Sequence, residues 1–172
     1  MFVHADCTGR LQTLALEGQL GGHTDSVRAL AETESLVFSG SDDTTIRAWD
    51  SATLQHVSTF EGHTDNVRVL AAAPTHPRML FSGSWDKTVR VWDTRGRNCV
   101  KVLIGHKEAV LALAVGRTRL ATGSYDSMVR FWDLATLQCV RAARGHSDAV
   151  RVLEADGDSF VSGAYDGAIG MW

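Results

Sequence analysis

Short apolar runs, each bounded by glycine, serine or aspartate, recur along this chain. One set reads Val27-Arg28-Ala29-Leu30, Val67-Arg68-Val69-Leu70, Val110-Leu111-Ala112-Leu113 and Val150-Arg151-Val152-Leu153. A second set reads Leu36-Val37-Phe38, Met79-Leu80-Phe81, Arg119-Leu120-Ala121 and Ser159-Phe160-Val161. A third leads to tryptophan: Ile46 to Trp49, Val89 to Trp92, Val129 to Trp132 and Ile169 to Trp172. A fourth, weaker run follows, as in Cys99 to Leu103. Runs this short and this rich in β-branched residues predict strands separated by tight turns. Their alternation is blurred, as it is when both faces of a sheet are covered.

The runs keep a fixed period. Gly-His occurs at Gly22-His23, Gly62-His63, Gly105-His106 and Gly145-His146, with histidine spacings of 40, 43 and 40 residues. Each is followed by a turn signal ending in Asp43, Asp86, Asp126 or Asp166, and six residues later by a tryptophan. The first three tryptophans continue as Trp-Asp, with Asp50, Asp93 and Asp133. The extra three residues of the second repeat hold Pro74 and Pro77, which predicts a longer loop between its first two strands. The fourth repeat departs most, with Ala164 for serine and Gly170 for arginine. Repeats of about 11–50, 51–93, 94–133 and 134–172 make one domain of the 172 residues.

These signatures resemble the WD-repeat β-propeller family, whose blades are four-stranded sheets set around a channel. The resemblance implies an all-β propeller with the sequence repeat offset from the blade. Three blades are then complete, and the fourth has three strands. At the N-terminus Phe2 to Asp6 reads as the end of a third strand and Leu11 to Leu16 as an outer strand. Four repeats are few for this family, so an incomplete ring is expected, as part of a longer chain. Two alternatives stay open: Leu11 to Leu16 closing a four-bladed ring, or two chains pairing into eight blades.

Each repeat holds His, Ser or Thr, Asp and Trp at fixed offsets. The sets are His23, Ser39, Asp43, Trp49; His63, Ser82, Asp86, Trp92; His106, Thr122, Asp126, Trp132; and His146, Ser162, Asp166, Trp172. Taken singly, each of the three serine sets has the elements of a hydrolase triad. A catalytic site is needed once, however, and these recur in every blade. The resemblance implies a structural hydrogen-bonded network instead. No acidic or cysteine partner has metal-ligand spacing, so neither metal nor cofactor is expected.

Composition removes other classes. Seventeen basic residues against twenty acidic ones give a net charge of −3, which argues against a nucleic-acid surface. No apolar stretch approaches membrane-spanning length. The three cysteines, Cys7, Cys99 and Cys139, form no CxxC pair, and a reducing cytoplasmic or nuclear setting is expected. Cys99 and Cys139 share a repeat position and are read as small buried apolar residues. His4, His56 and His76 are read as solvent-exposed.

The resemblance also implies one shared rim for the Asp turns and the segments after Gly-His. The residue before each turn Asp is Asp42, Trp85, Tyr125 or Tyr165, and the residue five after each His is Arg28, Arg68, Leu111 or Arg151. Trp, Tyr and Arg together have the composition of a protein-binding hot spot. The Gly-His-x-x-x-Val-Arg pattern is similar to F-box WD-repeat receptors, and implies that Arg28, Arg68 and Arg151 match arginines that take phosphorylated degrons. The expected function is thus a non-catalytic scaffold or adaptor for proteins or peptides, with no small-molecule substrate. A phosphodegron receptor of a ubiquitin ligase is the alternative, and a Ser-His-Asp hydrolase a more distant one.

Overall fold

The computed structural model describes residues 3–5, 11–13, 18–73 and 76–172, with backbone alone for the first two segments. Cys7, Pro74, Leu14 to Leu16 and the side chain of His4 lie outside what is described. Strands β1 (Val3–Ala5) and β2 (Leu11–Thr13) form an antiparallel pair. Ala5 and Leu11 thus pair on neighbouring strands, and Phe2, Asp6 and Leu14 to Leu16 of the two expected strands lie outside the described residues.

Four antiparallel sheets follow. The first blade is β3 (Val27–Glu32), β4 (Leu36–Ser41), β5 (Ile46–Asp50) and β6 (His56–Phe60). The second is β7 (Val67–Ala73), β8 (His76–Ser84), β9 (Val89–Asp93) and β10 (Asn98–Leu103). The third is β11 (Val110–Val115), β12 (Arg119–Ser124), β13 (Val129–Asp133) and β14 (Cys139–Ala143). The fourth has three strands, β15 (Val150–Asp156), β16 (Ser159–Ala164) and β17 (Ile169–Met171). The arc is open: among the described residues no apolar cluster joins the first and fourth blades, and Val27, Leu30 and Ile169 are exposed.

The core lies between blades rather than within them. Phe38, Ile46, Ala48 and Phe60 of the first blade pack on Val67, Leu70, Leu80 and Trp92 of the second. Phe81, Val89 and Val91 meet Val110, Leu113 and Trp132 in the next seam. Ala121, Val129 and Phe131 meet Val150, Leu153 and Phe160 in the last. This explains the blurred alternation. Strand β11 has neighbours on both faces and is buried along nearly its whole length. Strand β3, which packs on the second blade through one face, keeps more alternating exposure.

The cysteines need a correction. Cys99 is half-buried against the first seam, but Cys139 is exposed. Both stand on outer strands, which have a partner strand on one side only. Their sulfurs lie 3.7 and 4.0 Å from the Nη1 atoms of Arg90 and Arg130. His56 and His76 are exposed as expected.

Candidate interaction rim

In every blade the tetrad forms one connected network. His23 Nδ1 lies 2.7 Å from Asp43, His23 Nε2 lies 2.8 Å from Ser39 Oγ, and Trp49 Nε1–H donates to the same oxygen at 2.9 Å. The second blade repeats this through His63, Asp86, Ser82 and Trp92, at 2.7, 2.7 and 2.8 Å. The third does so through His106, Asp126, Thr122 and Trp132, at 2.9, 2.7 and 3.0 Å. In the fourth, His146 reaches Ser162 at 2.7 Å and Trp172 reaches Ser162 at 2.8 Å, but the His146–Asp166 distance is 3.1 Å. One proton assignment satisfies every member: Trp N–H to hydroxyl, hydroxyl O–H to His Nε2, and His Nδ1–H to carboxylate.

The connectivity is that of a Ser-His-Asp triad, yet the setting is not. The four hydroxyl oxygens belong to Ser39, Ser82, Thr122 and Ser162, all buried, and each is clamped by an indole N–H. A nucleophile must meet its substrate, and these face the packed interior.

The aspartates are held ionised. Burial opposes the charge on Asp126, but the bonds from His106 and from the Lys107 and Met128 amides outweigh it and hold the carboxyl at about 2. Burial likewise opposes the charges on Asp43 and Asp86, and the same kind of donor set holds both carboxyls well below the usual range. Each of these carboxylates also fixes its turn, through the amides of Thr24 and Thr45, Thr64 and Thr88, or Lys107 and Met128.

The network thereby sets the rim. The amide of the residue before each turn Asp donates to the segment after Gly-His: Asp42 to Ser26, Trp85 to Asn66, Tyr125 to Ala109 and Tyr165 to Ala149, at 2.9–3.1 Å. The position five after each histidine has a further device. In all four inner strands the pairing register slips around it, between Val27 and Ala29, Val67 and Val69, Val110 and Ala112, and Val150 and Val152. Arg28, Arg68, Leu111 and Arg151 are therefore the extra residues of four β-bulges. A bulge re-aims its side chain out of the strand's alternation.

The eight rim positions meet different fates. Trp85 and Tyr125 contact edge to face across the seam between the second and third blades, centroids 5.9 Å apart. The Arg151 guanidinium carbon lies 5.3 Å from the Tyr165 ring centre. Arg28 donates from Nε to Asp42 at 2.7 Å, and that carboxylate raises the arginine's affinity for its proton. Arg68 is half-buried, with no ion pair or side-chain hydrogen bond among the described residues. Leu111 is only 5% exposed and packs with Ala109 and Ala149. It supports the rim from below and offers little contact area. Sequence reasoning missed the Lys87–Glu108 ion pair, 3.2 Å, which spans the same seam as Trp85 and Tyr125. It also missed the opposite side, where Asp158 accepts from the Thr118 amide and hydroxyl at 2.9 and 2.7 Å, tying the third and fourth blades.

Blades of repeating Gly-His and Trp-Asp, closed by these networks, define a WD-repeat protein. The WD domain, G-beta repeat family matches residues 14–50, 54–93, 97–133 and 137–172, and the chain belongs to it. Among curated proteins it is similar to the probable E3 ubiquitin ligase complex SCF subunit sconB of Aspergillus terreus, 46% identical over 57 residues. That match covers 32% of this chain and 8% of the relative. It is also similar to the probable E3 ubiquitin ligase complex SCF subunit scon-2 of Neurospora crassa, 44% identical over 57 residues, 32% of this chain and 9% of that protein. Among solved structures it is similar to the computationally designed Ika4 protein, with TM-score 0.83 and 34% identity over 90% of this chain and 94% of that one. It is similar too to the RRP9 WD40 repeats, with TM-score 0.85 and 28% identity over 89% of this chain and 49% of that one.

Proposed function

We propose that this chain is a non-catalytic scaffold that binds other proteins on the rim carrying its Asp turns. The observation that carries the reading is the company kept by Arg68. It stands on a bulge, without a carboxylate partner among the described residues, on a rim where Trp85, Tyr125 and Tyr165 are all exposed. Flat aromatics give contact area at low entropic cost, and an unpaired guanidinium offers directional donors. The tetrads serve the fold, since their hydroxyls are buried and clamped. A pulldown from the cells that make the protein tests this, with wild type against the Arg28→Ala/Arg68→Ala/Arg151→Ala variant. Loss of partners at unchanged melting temperature is expected. Equal recovery of every partner would move the site elsewhere.

A second reading, a phosphodegron receptor of a ubiquitin ligase, draws on the similarity to the SCF subunits and on the arginine positions. Arg68 and Arg151 suit a phosphate better than Arg28, whose fork is occupied by Asp42. Phosphatase treatment of the lysate should then mimic the triple variant, and salt should weaken capture.

A further inference from the structure

A cleft of about 340 Å³ opens beside the Asp turn of the third blade, lined by Lys107, Asp126, Ser127, Arg130, Arg144 and His146. That volume lies at the small end of ligand pockets. None of the eight rim positions lines it. Its cations arrive from three places in the chain. Lys107 directly follows the histidine of Gly-His, Arg130 stands on β13, and Arg144 directly follows β14. The Lys107 amide is tied to Asp126 at 2.9 Å. Arg130 lies along Gly105, its Nη1 atom 3.3 Å from where a methyl group on that glycine would stand.

The other blades do not carry this charge. Where the third has Lys107, they have Thr24, Thr64 and Ser147; where it has Arg144, the first and second have Glu61 and Ile104. Arg130 is shared, as Arg47 and Arg90, and in all three blades its Nε is buried and bonded to nothing among the described residues. That orphan donor therefore belongs to the repeat, whereas its two cationic neighbours belong to the third blade. The second blade has a turn cation of its own, Lys87, but Glu108 takes it at 3.2 Å. Lys107 and Arg144 are exposed, with no carboxylate partner among the described residues. Arg130 reaches a sulfur, Cys139 Sγ, at 4.0 Å.

Asp126 is the carboxylate among the lining residues, and its oxygens are already engaged by His106 and by the Lys107 and Met128 amides. Three cations against one carboxylate leave two positive charges unbalanced, in a chain whose net charge is −3. We propose that this cleft binds a phosphate group, free or as a monoester. Such a group carries about −1.5 to −2 charge near neutral pH, which matches the surplus. The planar forks of Arg130 and Arg144 suit its oxygens, Lys107 adds a point charge, and the Ser127 hydroxyl adds a neutral donor. The site stands apart from the rim arginines, and its test does not depend on any rim partner.

The experiment is an NMR titration of the full 172-residue chain with sodium phosphate, the ionic strength held constant with sodium chloride. Saturable shifts are expected at the amides of Lys107, Ser127, Met128 and His146. Lys107→Thr/Arg144→Ile installs the residues of the second blade at two exposed positions, so the spectrum elsewhere should be kept. Its phosphate affinity should fall about tenfold or more, the size of one lost charge-assisted bond. Arg144→Glu alone, the residue of the first blade, should weaken binding by at least as much. A second titration uses a short peptide with one phosphoserine. Affinity about tenfold above that of inorganic phosphate would make a phosphorylated chain the source of the group, and equal or lower affinity would make it free phosphate. Phosphate acting no differently from chloride would overturn the site. So would variants that titrate like wild type, or shifts confined to Arg28, Arg68 and Arg151, which would give the anion to the rim.

Discussion

Tyr125 and Trp85 meet edge to face across a blade seam, 5.9 Å between ring centres, while both rings remain exposed. Buried aromatic pairs are core; a pair left half in water on a rim is the kind of surface that the proposed binding role would use. Replacing Trp85 by alanine should change the unfolding free energy by about 1 kcal/mol or less, since little burial is lost. It should nonetheless weaken partner capture at least as much as any single rim arginine. Urea unfolding and a quantitative pulldown, on the same variant, separate the two effects. A large stability loss with capture intact would make the pair structural.

The tetrads should answer in the opposite sense. Asp86 sits 2.7 Å from His63 in an inner blade, and its loss strands a buried imidazole and two turn amides. Asp86→Ala is expected to cost about 2–4 kcal/mol. Asp166→Ala should cost less, because its bond to His146 is longer and its blade has an open face. The ratio of the two urea midpoint shifts checks the argument, and equal shifts would contradict it.

Acid should unfold the blades through these same carboxylates. The folded state lowers the Asp126 carboxyl from 3.8 to about 2, against burial and with His106 and two amides as donors. A lowered carboxyl contributes stability above its unfolded value, and that stability is lost as pH falls towards the folded value. Asp43, Asp86 and Asp166 shift in the same direction. The melting temperature should therefore drop steeply from about pH 4 to about pH 2. Asp126→Asn, measured over the same range, should show a lower but flatter profile. A parallel profile would assign the acid sensitivity to other groups.

The repeat was legible because its markers are chemical. Gly-His, the turn Asp and the strand-ending Trp recur at fixed spacing, so the repeats and the tetrad members could be read from the residues, while the blade offset and the network came from the resemblance to the WD-repeat family. The rim was legible as two repeat positions, but not its inner differences. Arg28 with Asp42, and Leu111 beneath the surface, depend on what each bulged residue meets, and composition does not encode a slipped register. Cys139 shows the same limit from the other side. Its repeat position matches that of Cys99, but burial there depends on the neighbouring outer strand.

The Ala164 departure yields a gain-of-stability test. In the first three blades a second hydroxyl locks the turn. Ser41, Ser84 and Ser124 each accept from the amide of the turn aspartate, at 3.1, 3.0 and 3.0 Å. Each also donates to a carbonyl two residues past the histidine, on Asp25, Asp65 or Glu108, at 3.1, 3.0 and 2.9 Å. The fourth blade has Ala164 at this place, with the Asp148 carbonyl and the Asp166 amide standing in the corresponding positions. That blade also has the longest His–Asp contact of the four. A hydroxyl pinning the Asp166 amide would bring its carboxylate closer to His146. Ala164→Ser is therefore expected to stabilise the chain by about 0.5–1.5 kcal/mol, the net worth of an ordinary hydrogen bond or two. Ser84→Ala, in a blade packed on both sides, should cost at least as much as Ala164→Ser gains. Urea unfolding of wild type and both variants reads the two changes side by side. A loss or no change for Ala164→Ser, with Ser84→Ala destabilising as expected, would show that the fourth turn is held by its aspartate alone.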